Sequence, residues 1–244
     1  MPLPKIEVPQ YELTIPSTEK VVKYRPFLVK EEKILLIALE TEDDAQIINA
    51  VQNIIDSCLY SDVDVSELSM FDVEFIFLQL RSKSKGEEVE LLFECDKCKQ
   101  QTPFVLNLSE VTIQRTEGHK KDISLSNGIG VKMKYPSMEL RSLFSNGGSE
   151  IENIFESLVI CLESIYDAET VYPAKDHTKK ELDDFFESLP ESEFKKIQQF
   201  FETMPSLRHD VEITCSHKTG KGKSARPCGH RNKKTLEGLQ SFFG

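Results

Sequence analysis

The stretch Val89-Glu90-Leu91-Leu92-Phe93-Glu94-Cys95-Asp96-Lys97-Cys98 decides how this chain is read. Val89, Leu91 and Phe93 alternate with Glu88, Glu90 and, less cleanly, Leu92 and Glu94, the period-two pattern of a strand with one buried face. The strand runs straight into a C-x2-C pair, and Phe104-Val105-Leu106 reads as its return, so Cys95 and Cys98 sit at a hairpin tip. Downstream, Val211 and Ile213 form a strand that enters Cys215, and Cys228-Gly229 closes a second pair. Thiolates delivered by two hairpin tips can converge in the tetrahedron that zinc takes. Glycine after the last cysteine suits the tight turn of a metal knuckle. Cys95, Cys98, Cys215 and Cys228 are therefore the expected ligands of one zinc ion per chain. Four protein ligands leave no open position, so the expected site is structural and not catalytic. The second pair is spaced C-x12-C, its loop holds His217, and His230 follows it, so either imidazole is an alternative ligand. The competing reading is a set of reduced cysteines with a redox C-x-x-C. A thioredoxin-type pair opens a helix, whereas strands flank this one.

Outward from this hairpin the chain reads as α+β: helical-bundle portions combined with antiparallel strands and a zinc-ribbon-like four-cysteine site. Tyr11 to Tyr24 has the alternation of a hairpin with a Pro16-Ser17-Thr18 turn. Pro26 leads into a helix with Leu28, Ile34, Leu35 and Leu39 on its core face. Asp43-Asp44 starts a second helix that ends near Leu59. A third spans about 69–82, apolar on more than one side and so the most buried. Strands are expected at 111–115 and 131–135. Pro136-Ser137 opens a short helix that Asn146-Gly147-Gly148 ends. Helices are expected at 149–165, 178–188 and 191–203, the middle one with a Thr178/Glu181 capping box. A short helix from Leu236 to Phe242 closes the chain. The expected organisation is 1–83 as a hairpin plus helical region, 84–136 with 206–235 as the β-rich zinc-ribbon-like region, 137–205 as a helical insertion, and 236–244 as a terminal helix. No internal repeat is found.

Composition bounds the function. The 244 residues carry 30 Lys+Arg against 41 Asp+Glu, and the net charge of -11 argues against general nucleic-acid or membrane binding. The longest apolar run, Ile34 to Leu39, is far short of the roughly 20 residues that span a bilayer. No signal-peptide apolar core is seen near the start, so the expected compartment is a cytoplasm. Cys58 and Cys161 lie in helical apolar patterns and read as small buried hydrophobes.

Nothing else carries catalysis. His119, His177, His209, His217 and His230 form no metalloprotease array, and the Asn127-Gly128 and Gly147-Gly148 turns lack phosphate-loop grammar. Asp183-Asp184 reads as a solvated helix surface. Between Cys215 and Lys234 stand seven Lys and Arg residues and no acid. This loop, 218–234, could touch nucleic acid, but it has no aromatic residues for base stacking. A solvated loop, or one that meets an acidic protein surface, is the favoured reading.

Leu3-Pro4-Lys5, Pro9, Tyr11-Glu12-Leu13 and Lys23-Tyr24-Arg25-Pro26-Phe27-Leu28-Val29-Lys30-Glu31-Glu32-Lys33 resemble the opening of baseplate proteins of T-even-type contractile-tailed bacteriophages. So do Phe200-Phe201-Glu202-Thr203-Met204-Pro205, His209, Cys215, Cys228-Gly229, Leu236-Glu237-Gly238-Leu239 and Phe242-Phe243. The resemblance runs over nearly the whole chain. It implies a non-enzymatic hub subunit or chaperone-like assembly factor of the tail baseplate. The implied partners are other hub and tail proteins, with no membrane, nucleic acid or small-molecule substrate. The implied places are the host cytoplasm during assembly and the virion tail baseplate. The ligand set carried over is Cys95, Cys98, Cys215 and Cys228. The alternatives are a zinc-ribbon nucleic-acid-binding protein using 218–234 and a thiol oxidoreductase built on Cys95 and Cys98.

Overall fold

The computed structural model describes residues 6–41, 43–137, 150–219 and 226–242. In chain order the elements are β1 (Tyr11–Thr14), β2 (Val21–Tyr24), α1 (Val29–Glu40), α2 (Asp44–Cys58), α3 (Met70–Lys85), β3 (Glu88–Glu94), β4 (Gln101–Asn107), β5 (Ile113–Gln114), β6 (Asp122–Ser124) and β7 (Gly130–Met133). They continue with α4 (Glu150–Cys161), β8 (Leu162–Tyr166), β9 (Val171–Pro173), α5 (Lys179–Glu187), α6 (Glu191–Thr203), β10 (Ser206–Thr214), β11 (Lys218–Thr219), β12 (Arg226–Pro227) and β13 (Arg231–Glu237). Every ladder among them is antiparallel, so the class is α+β. Two compact units form: 1–63 with 71–114 and 206–244, and 64–70 with 115–205.

In the first unit β1 and β2 pair from Tyr11↔Tyr24 to Thr14↔Val21. Asp43 caps α2 by accepting the Ala45 and Gln46 N–H groups. In α3, Val73, Ile76, Phe77, Leu78 and Leu80 are at most 1% exposed, as its all-round apolar sequence implies. The core face of α1 differs from expectation. Leu35 is buried, but Leu28 and Ile34 are exposed, and Glu31 and Ala38 face inward instead. The cause is Glu31: its carboxylate accepts the Leu28 N–H at 2.8 Å and Arg25 at 2.8 Å, which fixes that side of the helix inward. The β3–β4 hairpin and the sheet β13-β10-β5 enclose a core of Leu78, Val89, Leu91, Leu106, Leu108, Val111, Leu207, Val211, Ile213, Leu236 and Phe242.

The second unit holds the sheet β6-β7-β8-β9 with α4, α5 and α6, around Val131, Met133, Leu158, Cys161, Leu182, Phe186, Ile197 and Phe200. Thr178 and Glu181 form the expected capping box at the start of α5. The helix expected over 149–165 ends at Cys161, and Leu162–Tyr166 is a strand between β7 and β9. The apolar run continues unbroken across this switch, so the change from period 3.6 to period 2 is hidden. The helix expected from Pro136 falls mostly outside the described residues, and Ser137 itself makes a β-bridge to Ser69. The terminal helix is also corrected. Leu236 and Glu237 finish β13, Gly238 turns the chain at φ +71°, and Leu239–Phe242 is a 3-10 turn.

Candidate metal centre

Strand alternation places Phe93 and Ile213 inward just before Cys95 and Cys215, and Asn232 inward just after Cys228. Their hairpins therefore carry the cysteines at the end of the first unit's core. The sulfur atoms of Cys95, Cys98, Cys215 and Cys228 all lie within 4.8 Å of one another. Cys98 and Cys215 are 3.6 Å apart, and Cys95 and Cys228 are 4.0 Å apart. Four sulfurs about 2.3 Å from a tetrahedral ion would stand roughly 3.8 Å apart, so the donor set fits one metal ion. His217 is exposed, and neither it nor His230 joins the cluster; the His230 contribution is its carbonyl.

The two pairs share a backbone design that their spacings conceal. The Cys95 N–H donates to the Gln100 carbonyl at 3.0 Å, and the Lys99 N–H donates to the Cys95 carbonyl at 2.9 Å. The Cys215 N–H donates to the His230 carbonyl at 2.9 Å, and the Gly229 N–H to the Cys215 carbonyl at 3.1 Å. In each case the residue after the second cysteine is left-handed, Lys99 at φ +59° and Gly229 at φ +61°. The second pair is thus the same knuckle with a hairpin, β11–β12, inserted between its cysteines.

Asn232, 2% exposed, ties the two tips together. Its carbonyl oxygen accepts the Asp96 N–H at 2.9 Å, and its amide donates to the Ile213 carbonyl at 3.3 Å and the His230 carbonyl at 3.4 Å. Lys234 adds an ion pair to Asp96 at 2.7 Å. Sequence reading passed over Asn232 and Lys99. Neither carried a signal: Asn232 lies in a run with no apolar alternation to mark a strand, and a lysine does not announce a left-handed turn.

The Cys98 N–H, then the Lys97 N–H and Asn232, pull the Cys95 thiol down to about 6 against the effect of burial. At Cys98 the Gln100 N–H lowers, but burial and the thiols of Cys215, Cys95 and Cys228 outweigh it and push Cys98 up to about 12. The thiols of Cys95 and Cys98 are thus pushed in opposite directions, and a dication bound among the sulfurs would favour their thiolate forms. Cys58 and Cys161 stand apart: burial pushes them up to about 11 and about 12, which keeps them inert.

The other sequence candidates assemble nothing similar. His119 packs against Tyr135 and Phe200 and meets the Thr203 hydroxyl at 2.9 Å. Asp183 and Asp184 lie on α5. No helix among the described residues is long and apolar enough to cross a membrane.

The family model described as T4 bacteriophage base plate protein matches residues 8–244. The chain is 25% identical to the baseplate hub assembly protein gp26 of Enterobacteria phage T4 over 236 residues, which is 96% of this chain and 98% of that protein. No solved structure matches.

Proposed function

We propose a function on one plain premise: the chain belongs to the T4 bacteriophage base plate protein family. Within that structural or assembly role, the protein is a non-enzymatic subunit or chaperone-like assembly factor of the central hub. It works in the host cytoplasm and in the tail baseplate, in contact with other hub and tail proteins. End-to-end similarity to a protein named for hub assembly carries this reading.

Cys95, Cys98, Cys215 and Cys228 hold one structural zinc ion. The support is a donor set of four thiols, two knuckles with the same hydrogen bonds, and a network through Asn232 that fixes their relative position. When bound, zinc supplies a cross-link between segments 117 residues apart in sequence. The ligands come from this chain alone, so the ion's task is folding and not chemistry.

Elemental analysis of protein purified without chelators is expected to give one zinc per chain. Less than about a tenth of an equivalent in a folded sample contradicts the site, given the ~10–16 kcal/mol typical of structural zinc. Tagged protein recovered from infected cells is expected to bring hub and tail proteins with it. Salt-sensitive retention on DNA, without those proteins, moves the nucleic-acid reading ahead.

A further inference from the structure

Among the described residues β3 pairs only with β4, and β13 only with β10. Their other edges border one cleft of about 500 Å³, lined by Glu90 to Phe93 on one side and Lys234 to Leu236 on the other. The ladders fix which backbone groups face it. The Leu108 N–H bonds the Glu87 carbonyl and the Cys95 N–H bonds that of Gln100, so the odd residues of β3 face β4. Glu90 and Leu92 therefore aim their N–H and C=O groups away from β4, toward the cleft. The Cys215 N–H to the His230 carbonyl sets the even residues of β13 toward β10, which leaves Thr235 facing the same cleft.

The opposite edge of the hairpin is protected and this one is not. Pro103 stands across from Leu92, at a position whose N–H would point outward from β4, so β4 offers no donor there. β3 has no proline, and Leu92 is 61% exposed.

The geometry points to strand addition: an extended segment of another baseplate protein enters between β3 and β13 and bonds to both edges. This rests on the reading that the protein works by holding other tail proteins. Leu91 and Leu236 belong to the core and form the apolar floor, so every second residue of the segment is apolar. Glu90 on one rim has no ion-pair partner among the described residues, whereas Lys234 on the other is paired with Asp96 at 2.7 Å. An acidic outward residue on the segment would meet the unpaired Glu90, so its outward residues are polar and not acidic.

The probe is an acetylated, amidated heptapeptide alternating threonine and valine, added to the full-length zinc-loaded protein. Amide exchange at Glu90, Leu92 and Thr235 is expected to slow about tenfold at millimolar peptide, the scale of a few net hydrogen bonds. The same peptide N-methylated at alternate residues is expected to give no slowing. Equal slowing with both, or slowing with neither, overturns strand addition. Leu92→Pro removes one edge donor and is expected to weaken the peptide about tenfold while zinc content stays the same. Should that variant fail to fold, the N-methylated comparison decides alone. Absent protection in a protein that still recovers hub proteins sinks this proposal and leaves the assembly role standing. Protection in a protein that recovers none does the reverse.

Discussion

Single side chains in this protein are judged by what they leave behind when removed. Asn232 satisfies three backbone groups that belong to both cysteine tips. Asn232→Ala leaves the Asp96 N–H without its partner and is expected to cost about 1–3 kcal/mol. Because that amide also orients the ligand turns, zinc affinity should fall about 10–100-fold, measured by competition with a chelating dye. An unchanged affinity with lowered stability would make Asn232 a packing residue only. Glu31 is 2% exposed and accepts from Arg25 and the Leu28 N–H. Burial alone would raise its pKa, but the Arg25 and Leu28 hydrogen bonds, with Lys30, outweigh it and hold the carboxyl below its usual 4.5. A lowered folded value stabilises fully above the unfolded one and is lost as pH falls through the folded one. Glu31→Gln is therefore expected to cost about 1–3 kcal/mol near neutrality, with the gap to wild type narrowing below about pH 4.5. Denaturant titrations at several pH values check this. Neither residue stood out in the sequence: Glu31 was one acid among four consecutive charged residues, and Asn232 lay in a run with no apolar alternation.

Elements were legible where one face pattern persisted and illegible where two patterns met. The β3–β4 hairpin could be read because Val89, Leu91 and Phe93 keep a period-two pattern into Cys95 despite Leu92. β13 could not, because Arg231-Asn232-Lys233-Lys234 spends its inward positions on a hydrogen-bonding amide and an ion-paired lysine. β8 was hidden behind α4 because Leu162 prolongs the apolar run of the helix. The second cysteine pair was the hardest of the four-thiol site, since a C-x12-C spacing shows no knuckle until the shared hydrogen bonds are seen. That design makes the inserted hairpin removable. Deleting residues 218–227 leaves Cys215-Ser216-His217-Cys228-Gly229, a C-x2-C knuckle like the first. The shortened protein is expected to keep one zinc and a melting temperature within a few degrees of the parent, since a sixfold shorter flexible loop changes closure by only about 1.6 kcal/mol. The same deletion removes Lys218, Lys221, Lys223 and Arg226, so association with acidic partners should slow most at low salt. Loss of zinc would show the hairpin to be part of the site.

At the scale of the whole molecule the four cysteines belong to one unit only, although 91 residues of the other, 115–205, lie between Cys98 and Cys215 in sequence. The chain leaves and re-enters the first unit at adjacent points, for Ile113 pairs with Leu207 and Gln114 with Ser206. The long loop between the ligands is thus closed at its base by two strands as well as by the thiol site. If the four thiols hold zinc as proposed, removing it takes away ligand binding that only the folded state enjoys, and the first unit bears that loss. The second unit keeps its own core of Val131, Met133, Phe186 and Ile197, none of which depends on the cysteines. Chelation of the full-length protein is therefore expected to speed amide exchange by orders of magnitude at Val211, Ile213 and Leu236, and by less than about threefold at Val131, Met133 and Ile197. Mass-resolved exchange with and without chelator reads both sets in one experiment. Uniform acceleration across all six positions would mean that the protein unfolds as a single cooperative body.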